Sequence, residues 1–387
     1  MTTLMQGFPP AEADRATLAN WRTGPYCAWA FHHVRELVPS AEIENDPDDV
    51  WRLEPGRIDL SGVDLERAMD ATSTDAVAII HEGRLAHEVY RNGMTARAPH
   101  ILMSVSKSML GLVAGSAMER GEIGEDALAT DYVPELAETA YAGATIRNLL
   151  DMRAGVKFDE DYLATAGPII DYRFAANWNP TPPGREAGDL RSFMNKMQDS
   201  DGPHGGRFHY VSPNTDLLGW ILERATGLRY ADLVAERLWR PLGAERPGYI
   251  TVDRIGGARA AGGVCLTARD LARVGMMMAD GGVRDGRRVI PESWIEDIET
   301  AGDADAWRKG DFKDLFGDID VAYRSKWYIR LGETPLIFGL GIHGQYLFID
   351  RRRRLSIAWF SSGHEPIDEG KILKVMDTVE KIRKAAS

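Results

Sequence analysis

Ser104 and Lys107 are the residues with usable chemistry at short range. They lie in Ile101-Leu-Met-Ser-Val-Ser-Lys-Ser-Met-Leu110, the one Ser-x-x-Lys in the sequence. Residues three apart share a helical face, so hydroxyl and amine can reach hydrogen-bonding distance without help from the tertiary fold. A serine hydroxyl is a poor nucleophile until a base takes its proton, and a lysine is such a base when burial disfavours its charged form. Val105, Met109 and Leu110 supply apolar surroundings. A helix opening at Ser104 adds free backbone N–H groups and a positive dipole end, which favour an oxyanion there. The competing reading is structural, with Ser104 an ordinary N-cap and Lys107 an exposed lysine.

The elements that must hold this pair can be read from hydrophobic spacing. Val105, Met109, Leu110, Leu112, Val113, Ala117 and Met118 recur with helical period, and Gly121 supplies the stop. Ahead of that helix, residues 76–80 and 85–90 read as two strands around Glu82-Gly83-Arg84. Thr145 caps a short helix to Leu150, and the Gly-, Pro- and Asp-rich stretch 155–206 is expected to be a binding loop. Residues 214–226 and 268–279 read as helices closed by Gly227 and Gly281-Gly282. Strands are expected over 324–330, 345–350 and 355–361, and an amphipathic helix over 367–385. Strands at both ends with helices between predict an α+β fold. Residues 1–130 and 250–387 form an α/β domain around a central antiparallel sheet, 131–249 an inserted mostly helical domain, and the catalytic cleft lies between them. The aromatics Trp21, Tyr26, Trp29 and Phe31 suggest an N-terminal segment packed on the main body.

Composition removes several function classes. A chain of 387 residues with 44% hydrophobic and 27% charged content can bury a sizeable core. A formal net charge of −12 tells against nucleic acid, and Arg351 to Arg354 reads as a solvated turn between strands. Residues 1–21 lack the basic start and apolar block of an export signal, and nothing is long and apolar enough to span a bilayer. Cys27 and Cys265 are too few for a disulfide framework and are expected to be reduced thiols in a cytoplasmic protein. There is no His-Glu-x-x-His and no Gly-x-Ser-x-Gly. Gly339-x-Gly341-x-x-Gly344 precedes an apolar strand rather than opening a helix, so it carries no dinucleotide reading. Neither metal nor organic cofactor is expected.

Two further stretches give Ser104 and Lys107 a context. Phe208-His-Tyr-Val-Ser-Pro-Asn-Thr-Asp-Leu-Leu-Gly219 places Tyr210, Ser212 and Asn214 just before a helix, and Phe338-Gly-Leu-Gly-Ile-His-Gly-Gln345 is expected to open a late strand. In this order the three stretches resemble the serine β-lactamase and penicillin-recognising superfamily, over about residues 75–365. Leu-Met-Ser-Val-Ser-Lys-Ser, Tyr-x-Ser-x-Asn-Thr-Asp, Thr-Gly-Leu-Arg-Tyr, Ala-Arg-Asp-Leu-Ala-Arg-Val-Gly and Gly-Ile-His-Gly-Gln are similar to the 6-aminohexanoate-dimer hydrolases and related carboxylesterases. The resemblance implies a β-lactamase-like fold with Ser104 as acylated nucleophile, Lys107 as proton acceptor and Tyr210 as third member. It also implies an oxyanion hole from the backbone N–H groups of Ser104 and Ile342.

Substrate contacts are expected from Tyr162, whose counterpart in the nylon-dimer branch assists amide cleavage, and from Asn214. The Tyr210 to Asn214 spacing is four rather than the two of the Tyr-Ala-Asn type. Ile342-His343-Gly344 stands where the wider superfamily has Lys-Thr-Gly, which removes a fixed cation and tells against penicillin hydrolysis. Trp178, Trp220 and Trp327 are candidates for a cleft wall, Trp327 foremost, and His343 for a pocket wall or orienting group, with core packing and backbone-satisfied strand positions as the competing readings. The expected activity is acyl-enzyme hydrolysis of a small-molecule linear amide of the aminohexanoate type. Short-chain esters rank second and β-lactams or D-peptides third; an acyltransferase and a non-catalytic ligand-binding relative are the rivals. No nucleic-acid or membrane partner is expected, and a homodimer is compatible with the sequence.

Overall fold

The structure, a computed structural model, describes residues 3–386. Strands β1 (Thr74–His81) and β2 (Arg84–Tyr90) form a hairpin whose turn residues Glu82 and Gly83 have φ of 50° and 76°. The other strands of the main sheet come from the C-terminal end: β3 (Val321–Arg324), β4 (Trp327–Arg330), β5 (Leu336–Gly341), β6 (Gln345–Asp350) and β7 (Leu355–Ser361). Their order is β2-β1-β7-β6-β5-β4-β3, antiparallel throughout, and the N-terminal hairpin closes on the last strand with Ala78 opposite Ala358.

Side-chain alternation along β1 explains why its sequence is apolar without interruption. Ala76, Ala78 and Ile80 enter one hydrophobic cluster, while Val77 and Ile79 enter the other. A sheet covered on both faces shows no polar side. Helices α1 (Val105–Glu119), α2 (Pro168–Ala175), α3 (Pro213–Thr226) and α4 (Ala268–Ala279) contribute to the first cluster, and α5 (Glu369–Ala385) to the second through Ile372, Val375, Met376, Val379 and Ile382. Side-chain caps set two of these helices: Thr267 accepts the Asp270 N–H ahead of α4, and Asp368 the Lys371 N–H ahead of α5.

The structure corrects several expectations. Residues 324–330 are not one strand but the end of β3, a turn and β4; Ser325 and Lys326 occupy the turn with φ of 49° and 72°. Neither residue is a usual left-handed turn former, so apolar flanks conceal the break. Residues 338–345 do not open a strand; they end β5 and pass through Ile342-His343-Gly344 into β6. The stretch 155–206 holds α2 and a short helix, Leu190–Met194, the latter capped by Asp189. A second sheet, in the order Ser40–Ile43, Gly248–Thr251, Val264–Leu266, His100–Ile101, has strands too short for periodicity to announce. Arg351 to Arg354 do form a turn, but three of the four are ion-paired, Arg351 to Glu299, Arg353 to Asp350 and Arg354 to Asp280. Among the described residues no helix is long and apolar enough to cross a membrane.

Candidate active site

The second sheet positions Ser104. His100–Ile101 pairs with Val264–Leu266, Leu102 donates its N–H to the Val264 carbonyl at 2.8 Å, and Met103 then turns with φ of 45°. Helix α1 begins directly after Ser104. The end of β5 closes on this start because residue 341 is glycine: a Cβ there would lie 2.6 Å from the Leu102 oxygen and 2.9 Å from the Ser104 nitrogen. Ile342 is thereby carried to the cleft that holds Ser104. Neither the Ser104 N–H nor the Ile342 N–H donates to a protein acceptor among the described residues. Two free donors flanking a serine hydroxyl are what a developing oxyanion would require.

Ser104 occupies the N-cap position, yet its side chain makes no capping bond. Its Oγ lies 2.9 Å from Lys107 Nζ instead. Lys107 is 1% exposed and donates to the Ala261 carbonyl at 2.7 Å, with its nitrogen 5.0 Å from the Tyr210 ring centroid. Burial pulls the Lys107 pKa down to about 7; Arg259 acts in the same direction, against the opposing charges of Glu160 and Asp216. The structural reading of this pair, a capping serine beside a solvated lysine, therefore fails. With one N–H held by Ala261, a neutral Lys107 can turn its lone pair to the Ser104 proton.

Tyr210 is set by its backbone N–H, which donates to Asp311 Oδ2 at 2.9 Å, and by Phe312, whose ring centroid is 4.9 Å away. Burial, with Tyr328, Tyr162, Tyr323 and Glu160 nearby, holds its phenol well above the ordinary tyrosine range. It is a neutral donor, not a base. The electrostatics thus separate the two groups into acceptor and donor.

The cleft beside Ser104 is lined by Tyr162, Ile342, Trp178 and the motif residue Ser212, together with residues not singled out from the sequence: Glu160 and three arginines, Arg22, Arg173 and Arg259. Glu160 accepts the Ser212 N–H at 2.7 Å, the Ser212 hydroxyl, and the Tyr162 hydroxyl at 2.8 Å. Behind the lysine, Asp216 accepts the Ala261 N–H at 2.8 Å, pairs with Arg259 at 2.5 Å and takes the Tyr172 hydroxyl.

Asn214, Trp327 and His343 are not among the residues lining this cleft. Asn214 is fully buried in the first turn of α3, and Ser212, two residues after Tyr210, faces the cleft in its stead. That spacing of two was the available signal. Trp327 is fully buried on β4 within the first hydrophobic cluster. Trp220 lies elsewhere, flanked by Arg191 and Arg224. His343 holds the β5–β6 turn: its Nδ1 is 2.8 Å from the Gly363 carbonyl and its ring meets Phe31 edge-on at 5.2 Å. Burial lowers its pKa to about 4, so it stays neutral. Among the described residues no cluster of His, Cys, Asp and Glu could hold a metal ion. A roomier cavity of about 300 Å³, lined by Phe158, Phe174, Arg185 and Phe193, does not include Ser104.

The chain is similar to known proteins over most of its length. The family model described as Beta-lactamase matches residues 63–375. A 6-aminohexanoate-dimer hydrolase from Paenarthrobacter ureafaciens is 38% identical over 364 residues, 93% of this chain and 91% of its own. The solved structure of a protein assigned as a 6-aminohexanoate-dimer hydrolase from Bacillus anthracis superposes with a TM-score of 0.84 at 27% identity, covering 97% of this chain and 99% of that one. A D-stereospecific amidohydrolase from Streptomyces sp. shares the fold, with a TM-score of 0.60 at 18% identity over 80% of this chain and 95% of its own.

Proposed function

This chain belongs to the beta-lactamase family and is a serine amide hydrolase, and we propose that it cleaves a linear amide of the aminohexanoate-oligomer type through an acyl-enzyme on Ser104. The observation that carries the assignment is the 2.9 Å approach of a buried Lys107, its pKa near 7, to the Ser104 hydroxyl. Lys107 takes the hydroxyl proton as Oγ attacks the carbonyl carbon. The negative oxygen that forms is met by the N–H groups of Ser104 and Ile342. Tyr210, a neutral phenol against the lysine, passes a proton to the leaving amine as the C–N bond breaks, and is reprotonated from Lys107. Water then attacks the ester carbon by the same route in reverse, releasing acid and free Ser104. Tyr162, lining the cleft on a loop tied to Glu160, is the residue we assign to the amide group.

The same reading places the enzyme in the cytoplasm, supported by two buried thiols, Cys27 and Cys265, that are not bridged. The test is intact-mass analysis after a fluorophosphonate, on wild type and Ser104→Ala, with turnover of the linear aminohexanoate dimer and of p-nitrophenyl acetate. One adduct on wild type alone, with both substrates cut, is expected. Labelling with ester turnover alone moves the enzyme to the carboxylesterases. An unlabelled Ser104 with neither substrate cut defeats the nucleophile assignment.

A further inference from the structure

Three arginines from distant segments meet in the cleft beside Ser104. Arg22 comes from the N-terminal segment, Arg173 from α2 and Arg259 from the loop ahead of Val264–Leu266. Their partners leave the charges unevenly matched. Arg259 is paired with Asp216, but its Nε is buried with no hydrogen-bond partner. Arg22 donates to the side-chain oxygen of Asn179 at 2.6 Å and Arg173 to the Tyr162 carbonyl at 3.0 Å, both neutral acceptors. Neither makes an ion pair with a carboxylate among the described residues, and the Nε of Arg22 is also buried and unpartnered. Elsewhere in this chain buried arginines meet carboxylates: Arg273 lies 2.7 Å from Asp270, and Arg383 lies 2.7 Å from Asp350.

The one carboxylate lining the cleft, Glu160, is already engaged by Ser212 and Tyr162. Crowding of like charge is felt by the arginines themselves, since burial, Arg173 and Arg259 lower the Arg22 pKa to about 9. Clustered guanidinium groups withdrawn from water are costly unless an anion completes them, and a planar fork of donors matches a carboxylate. Arg259, 7% exposed and lining the cleft with its buried Nε unpartnered, makes this a built site rather than a charged surface.

We propose that Arg22, Arg173 and Arg259 form a carboxylate subsite beside Ser104, so that the enzyme selects linear amides and esters bearing a negative charge away from the scissile bond. This rests on the hydrolase reading above and narrows its substrate class. It supplies, from other segments, the cation that Ile342-His343-Gly344 lacks, and a linear aminohexanoate dimer would meet it with its carboxylate end.

Two matched substrate pairs test it. 6-Acetamidohexanoate against N-hexylacetamide puts the charge on the leaving amine; the N-propyl monoamide of adipic acid against N-propylhexanamide puts it on the acyl half. The carboxylated member of at least one pair is expected to have a kcat/KM about tenfold higher or more, with the ratio falling towards unity in Arg22→Gln and Arg173→Gln. Equal kcat/KM values in both pairs, or a preference that survives both substitutions, overturn the subsite. Calorimetric binding of the same four compounds to Ser104→Ala separates this from failure of the hydrolase reading. Carboxylated ligands binding no tighter than their neutral partners refute the subsite whatever the turnover, whereas an unlabelled Ser104 refutes the nucleophile alone.

Discussion

Asp216 reaches Lys107 through a single residue, Ala261: its carboxylate accepts the Ala261 N–H at 2.8 Å, and the Ala261 carbonyl accepts a proton of Lys107 Nζ at 2.7 Å. The same carboxylate compensates Arg259. In the proposed mechanism Asp216 is therefore a positioning residue, which fixes where Lys107 points without touching the reacting atoms. Asp216→Ala leaves Arg259 as an uncompensated buried charge, a loss of about 3–5 kcal/mol. Urea unfolding checks it, and a loss below about 1 kcal/mol would show that the pair is not structural.

The pH dependence follows from Lys107. Below a pKa of about 7 the amine is protonated and cannot accept the Ser104 proton, so kcat/KM is expected to rise with pH through about 7 and level off above it. Glu160 is the largest charge opposing the fall in that pKa. Glu160→Gln removes it, lowers the lysine pKa further and moves the rising limb to lower pH. A pH profile of both proteins decides; a limb that stays in place in the variant separates Glu160 from the base.

Tyr210→Phe keeps the ring over Lys107 and removes the proton relay. A loss of about 10²–10⁴ in kcat is expected, with thermal stability changed by less than about 1 kcal/mol because the packing on Phe312 is retained. Turnover within a fewfold of wild type would remove the phenol from the mechanism.

Lys107 also costs stability. The unfolded chain holds its proton near 10.5, whereas burial lowers the folded value to about 7. The penalty, on the order of 4 kcal/mol at neutral pH, is full below pH 7 and vanishes as pH rises through 10.5. Lys107→Met, similar in length and apolar, is expected to be inactive and more stable than wild type at pH 7, by differential scanning calorimetry. A lower Tm would mean that the Ala261 and Ser104 bonds outweigh the desolvation.

What the sequence alone determined was whatever depends on short-range spacing. Ser104 and Lys107 are one helical turn apart, and their meeting required only that the segment be a helix. Apolar runs and helical spacing bounded by turn residues placed β1, β2, α1, α3 and α4, since these signals lie within each segment itself. Tertiary structure decided everything that depends on which distant segments come together. A bare Ser-x-x-Lys can serve as the proposed nucleophile and base only because Ala261, Tyr210 and the surrounding core bury the amine. The two free N–H groups proposed as oxyanion donors come together because Gly341 lets β5 close on α1. Asn214 and Trp327 look like site residues in one dimension, yet the first turn of α3 and the core face of β4 bury them. Arg22, Arg173 and Arg259, far apart in the chain, give no local signal at all, because a charge acquires its role from the charges it meets in space.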